Sequence, residues 1–208
     1  MIILMLLPAL ASATLASAPV PTNQPDWIRP DDMPAYHQRA GISRSIYLRL
    51  TIRPDARLQT CDVENSDGDW NLAATTCALI MERAKFEPAR GADGAAAYGV
   101  YRTRMTWAVG KDRSRTLSPG DMELQVAQLP PGERAPLRVH LMYAVDPAGV
   151  VSSCAAEAAV GRKVEDPKLV AVACKQLESS YRALPVKDEA GRGGASLQTG
   201  TVVFNVGG

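Results

Sequence analysis

Along residues 46–52, apolar Ile46, Leu48, Leu50 and Ile52 alternate with Tyr47, Arg49 and Thr51. A period of two with one apolar side predicts a half-buried strand. "RPDAR" follows as a turn, because proline presets one dihedral and aspartate favours turn positions. The chain returns over 57–63 as a second strand with untidy alternation. Leu58 and Cys61 fall on opposite faces, which suggests a bulge. After "SDGD" the period lengthens: Ala73, Cys77, Ile80 and Ala84 share one helical face, and Asp69 stands at the N-cap. Pro88, a glycine-containing loop and a last strand over 98–109 complete the pattern.

The same pattern returns further on. "LTIRPDARLQTC" before Cys61 lies over "YAVDPAGVVSSC" before Cys154, each with a proline seven residues ahead of the cysteine. Cys77 is followed by Pro88, Gly94 and Trp107; Cys174 is followed by Pro185, Gly191 and Phe204, at identical spacings. The second helix is capped by Asp166, starts at Pro167, and carries Val170, Cys174, Leu177 and Tyr181 on one face. Its last strand runs over 197–206. This matched spacing reads as an internal duplication. The expected fold class is α+β: two tandem ββαβ units, each a small antiparallel sheet with one helix packed on a face. The expected domains are 31–110 and a divergent second repeat over 137–208. Between them, 111–136 reads as a turn-rich linker in which "MELQVAQL" is a short candidate strand.

In each copy one cysteine falls on the second strand and the other on the buried face of the helix. The expected pairs are therefore Cys61 with Cys77 and Cys154 with Cys174. Such a staple closes a loop of about 15 residues in the first copy, worth ~3 kcal/mol in the chain-entropy model. Zinc is the weaker reading, because the spacings are wide and no C-x-x-C pair occurs. Disulfides persist outside the cytoplasm, and the N-terminus agrees. Residues 2–10 form a short apolar core and Ala11-Ser12-Ala13 supplies small residues of a cleavage site. Residues 1–18 read as a signal peptide cut near 13 or 18, and 19–30 as a Pro-rich linker. The expected location is the periplasm; the alternative is an inner-membrane anchor facing it.

Residues 31–107 resemble the C-terminal domain of the TonB family of periplasmic energy transducers. The marks are Asp32-Met33-Pro34 ahead of the first strand, the "PDAR" turn, "ENSDGDWNLAATTC" at the helix entry, "AKFEPAR" with "DG" at its exit, and a strand ending in Trp107. In the second copy, Tyr181 to Pro185 ("YRALP") echoes the exit motif. The resemblance implies a small antiparallel sheet with a helix on one face. It also implies a role: a sheet edge that takes up an extended partner segment, such as part of an outer-membrane receptor, by strand addition. The edge so implied is the last strand of copy one, with Val100, Arg102 and Arg104 on one side and Tyr101, Thr103, Met105 and Trp107 on the other. A homodimer through sheet edges is a further expectation. Met33 stands where the family has tyrosine, and the segment over 19–30 would reach ~40 Å at most when extended.

Other chemistry changes this picture little. A net charge of +1 on 208 residues gives no electrostatic reason to expect nucleic acid. His37 reads as a surface residue of a short helix, and His140 lies on a strand; neither stands in a G-x-S-x-G-type motif. Asp62, Glu64, Asp67 and Asp69 cluster in the turn before the first helix and read as a solvated loop plus cap rather than a calcium loop. Arg102 and Arg104 read as a solvated strand face. No catalytic, metal or cofactor site is expected. The readings are thus a non-enzymatic envelope protein that binds a protein or peptide, a structural or assembly protein, and, third, an enzyme with an unrecognised site.

Overall fold

The computed structural model describes residues 16–41, 43–109, 120–157 and 165–207. The first part of the chain forms β1 (Val20–Pro21), α1 (Ala35–Ala40), β2 (Arg44–Ile52), β3 (Leu58–Asn65), α2 (Trp70–Arg83), β4 (Phe86–Glu87), β5 (Ala89–Arg90) and β6 (Ala96–Trp107). The rest forms β7 (Met122–Val126), β8 (Leu137–Val145), β9 (Val151–Ala156), α3 (Pro167–Ser180), β10 (Val186–Lys187), β11 (Gly193–Gly194) and β12 (Ser196–Val206). The protein is α+β. The two long helices, α2 and α3, are capped as their sequences suggest: the Asp69 side chain accepts from the Leu72 N–H, and that of Asp166 from the Lys168 and Leu169 N–H groups. Cys61–Cys77 and Cys154–Cys174 are disulfides, each tying a strand to the helix that covers it.

The long strands of the two halves do not form separate small sheets. They share one of eight strands, in the order β3-β2-β6-β12-β8-β9, with β5 alongside β6 and β7 alongside β12; β1 with β4 and β10 with β11 make two further two-stranded pairs. The join is a short parallel ladder between β6 and β12, from Tyr98↔Ser196 to Val100↔Gln198. Past it, β12 exchanges β6 for β7, pairing Val202 with Met122 through to Val206 with Val126. In a parallel ladder, paired residues share a face. Val100 therefore looks the same way as Gln198, Val202 and Phe204, while Tyr101 looks the other way. Val202 and Phe204 lie in the core under α3, and Tyr101 packs on the core under α2. The two helices thus cover opposite faces of the continuous sheet.

This arrangement corrects three expectations. β2 is not half-buried: its polar side is covered as well, and Tyr47, Arg49 and Thr51 are at most 7% exposed. The Pro-rich 19–30 segment is not a spacer. Val20–Pro21 pairs with β4, Ser17 bridges to Arg90, and Trp27 is fully buried against Phe86 and Tyr101. Asn23 fixes this strap by accepting from the Trp27 ring N–H and the Lys85 N–H. His37 is 3% exposed, not superficial, and its Nε2 lies 2.9 Å from the Asp69 carboxylate that caps α2. The untidy second strand is explained by a register shift between Thr51 and Ile52, which bulges Gln59 and returns Leu58 to the core side beside Cys61. The signal-peptide reading of 1–18 falls almost wholly outside the described residues, as does 111–119 of the expected linker. The rest of that linker is not merely a connection, because the candidate strand within it is β7, paired with β12.

Candidate functional site

The residues expected to bind a partner all lie on β6, and the structure gives most of their side chains internal work. Val100 is fully buried, with β2 on one side and β12 on the other. Tyr101 stacks edge-on against Trp27 and Phe86. The Thr103 hydroxyl accepts from Gln24 at 3.3 Å. Met105 packs on the α2 core, and Trp107, 2% exposed, donates from its ring nitrogen to the Thr76 hydroxyl. Only Arg104 is freely exposed among them. β6 is a central strand, so the expected open edge is closed over Tyr98, Gly99 and Val100. Among the described residues, no strand pairs with that same side of β6 over 102–107.

Arg102 is the largest departure from the sequence reading, which gave it to a solvated face. It sits where β6 and β12 part. Its Nε donates to Glu64 at 2.8 Å, and its Nη1 donates to the Thr199 carbonyl at 2.6 Å and lies 3.1 Å from Asp121. The same nitrogen reaches the Tyr143 hydroxyl at 3.4 Å. Asp121 accepts in addition from the Tyr181 hydroxyl at 3.0 Å and from the Thr201 N–H at 2.6 Å. One guanidinium therefore binds β3, β12, the approach to β7 and β8, and through Asp121 the end of α3. Burial alone would lower the Arg102 pKa, but Asp121, Tyr143 and Glu64 outweigh it and hold the cation charged. Burial, and then Asp121, raises Tyr143 above the ordinary phenol range, and Tyr181 follows for the same reasons. Gly200 makes room for this cluster, since a Cβ there would stand 2.7 Å from both Asp121 and the Tyr143 hydroxyl.

Directly across the ladder from Arg102 lies Arg49. Its pKa is lowered by burial and by the neighbouring Arg102 cation. It donates to the Leu184 carbonyl at 2.9 Å, and its nearest carboxylate, Asp62, is 3.6 Å away. Gln198 donates to that same carbonyl and Gln59 to the Lys187 carbonyl. The chain around β10 is thus laid across the polar face of β2 and β3, and Glu189 pairs with Arg53 at its far end. An open groove of about 980 Å³ runs along this junction, lined from both halves by Arg49, Asp62, Arg104, Thr201 and their neighbours. Its chemistry is alternating guanidinium, carboxylate and threonine hydroxyl. That suits hydrogen bonding to main chain and polar side chains. Of the acidic cluster, Asp69 caps α2 and Glu64 serves Arg102; among the described residues no group of three or more His, Cys, Asp or Glu could hold a metal ion. His140 lies beside the Thr201 hydroxyl at 3.1 Å.

The sheet has two outer edges. β3 is one, pairing with β2 over a regular stretch from Thr60↔Thr51 to Val63↔Leu48. β9 is the other, a strand of six residues interrupted by a register shift, with Ser153 at φ +51°. Each edge carries the strand cysteine of its disulfide.

No protein-family model matches this chain, and no curated protein matches its sequence. Among the described residues, no helix is long and apolar enough to cross a membrane.

Proposed function

We infer that this is a non-enzymatic, exported cell-envelope protein made of two tandem ββαβ units resembling the TonB C-terminal domain. It binds an extended protein or peptide segment by strand addition. The observation that carries the reading is the equivalence of the halves. Each runs strand, strand, helix, long strand, with a disulfide from the second strand to the helix. Two disulfides support export, since they persist in oxidising compartments. An extended segment laid against a sheet gains main-chain hydrogen bonds from the edge and specificity from side chains beside it. The groove at the junction offers polar groups of that kind.

A second reading has its own observation. The β6–β12 ladder fills in cis part of the edge that a TonB-like unit would offer to a receptor. That favours a structural or assembly protein whose strand edges serve its own two halves. The test is amide hydrogen exchange on the intact, oxidised protein with a panel of capped peptides from extended segments of outer-membrane receptors. Strand addition predicts slowed exchange along one continuous strand edge. Exchange unchanged on every strand across the panel favours the structural reading.

A further inference from the structure

The two halves differ most where they are most alike in plan, beside the disulfide of each outer strand. In α2, Trp70, Ala74, Cys77 and Met81 recur at helical spacing and form one stripe. The Cys61–Cys77 bond fixes that stripe beside β3. It is apolar and uncovered: Trp70 is 67% exposed, Met81 43%, and Ala74 is exposed between them. A tryptophan and a methionine exposed on one stripe are unusual in a helix whose opposite side is already packed on a core. Among the described residues, no strand pairs with the outer side of β3.

The equivalent stripe of α3 is Pro167, Ala171, Cys174 and Glu178. Glu178 takes the position of Met81, four residues past the cysteine. Its carboxylate accepts from the Cys154 N–H at 3.3 Å, so one donor of β9 is spoken for. A bulge and a side-chain cap are devices that blunt a sheet edge. β9 has both; β3 is bulged too, at each end of its regular stretch over 60–63, but has methionine at the position of the cap.

The side chains of β3 alternate about that edge. Cys61 and Val63 point to the α2 side, where they pack on its core. Thr60 and Asp62 point to the groove, and the Asp62 side chain is 56% exposed, with Glu64 beyond it at 29%. A strand added outside β3 would set alternate side chains against the Trp70–Met81 stripe and the others beside Asp62. Opposite charges on neighbouring strands attract and like charges repel.

We propose that the outer edge of β3, together with the exposed stripe of α2, is the docking site for an extended partner strand with alternating apolar and basic side chains. The proposal rests on the strand-addition reading and moves it from β6 to β3. The exposed Asp62 disfavours a second copy of this chain here, since two β3 strands would bring the Asp62 carboxylates to the same junction.

Three capped nine-residue peptides test it on the intact, oxidised protein: alternating Val/Lys, alternating Val/Glu and alternating Ser/Lys. The Val/Lys peptide should bind about tenfold or more tighter than the other two, shift Trp70 emission to the blue and slow exchange over 60–63. Met81→Glu should weaken it about tenfold with circular dichroism and Tm unchanged, because Met81 is already exposed. Equal binding of Val/Lys and Val/Glu, or full binding by Met81→Glu, overturns the site. Protection over 102–107 or on β9 instead overturns it while strand addition stands. No protection by any of the three peptides, with receptor-derived segments also silent, overturns both. Protection of 60–63 that grows with protein concentration, without peptide, assigns the edge to a second copy and overturns the partner proposed here.

Discussion

The edge strands β3 and β9 occupy matching places in the two halves and are built to opposite ends. β9 is short, bulged at Ser153 and capped by Glu178. β3 is bulged at both ends of a regular stretch over 60–63, but Met81 stands in place of the cap and, with Trp70, is exposed beside it. Both helices stand at the same distance from their strands, with disulfide Cα separations of 5.6 and 5.4 Å, so the scaffold does not cause the difference. It lies in a few surface side chains. Two halves alike in core, staple and cap can still differ at their edges through a few surface side chains.

The largest perturbation should come at the join, without which the halves cannot be compared as one body. Arg102→Ala leaves Asp121, 9% exposed, and Glu64 without their cation. A loss of ~3–5 kcal/mol is expected in urea unfolding, the scale for stranding a buried charge. A loss below 1 kcal/mol would mean that the β6–β12 ladder holds the halves together unaided.

Removing the staples sharpens the comparison. Cys61→Ser with Cys77→Ser, and Cys154→Ser with Cys174→Ser, should each cost ~3 kcal/mol. The sequence separations of 16 and 20 differ too little to distinguish them, by only ~0.2 kcal/mol in the chain-entropy model. A much larger loss in one half would show that its disulfide positions more than its own loop.

Alkali should strike the second half. Tyr143 and Tyr181 have folded pKa values raised above the phenol value of 10.0, first by burial and then by Asp121. A raised folded value gives stability that is full below the unfolded pKa and is lost as pH rises through 10 toward the folded value. Urea midpoints should therefore hold to about pH 9 and fall above pH 10, and Tyr143→Phe should flatten that fall. The smallest effect is on the closed edge. Glu178→Ala should cost less than ~1 kcal/mol, as an exposed side-chain hydrogen bond does, yet speed exchange at the Cys154 amide. Unchanged exchange there would remove the cap from the account of β9.

Much of the fold is legible in the sequence because it is local. The strand period at Ile46, the caps at Asp69 and Asp166, and the matched frames of proline and cysteine each depend on neighbours within a few turns of chain. The joining of β6 to β12 is not legible, since pairing between residues almost a hundred positions apart leaves no mark on either strand's period. Arg102 shows why. Its alternation with Tyr101 is plain, but its burial follows from Asp121, Tyr143 and Glu64, which meet it only in three dimensions. Trp27 was hidden by its surroundings, because prolines that suggest a spacer also suit an extended strap across a sheet end. The α2 stripe could have been found. Helical spacing alone places Trp70, Ala74 and Met81 beside Cys77, but attention to the buried face of Ala73, Ile80 and Ala84 passes over it. Even that face is drawn differently by the structure, which buries Leu72, Ala73, Thr76 and Ile80.

The most direct measurement reads both edges in one sample: amide exchange of the intact protein, with and without the Val/Lys peptide, followed over 60–63 and across Val151–Ala156. Exchange should slow over 60–63 and stay unchanged on β9, where the bulge at Ser153 and the Glu178 cap keep the edge shut. Equal protection of the two strands, or protection of β9 alone, would contradict the claim that one copy's edge is open and the other's closed.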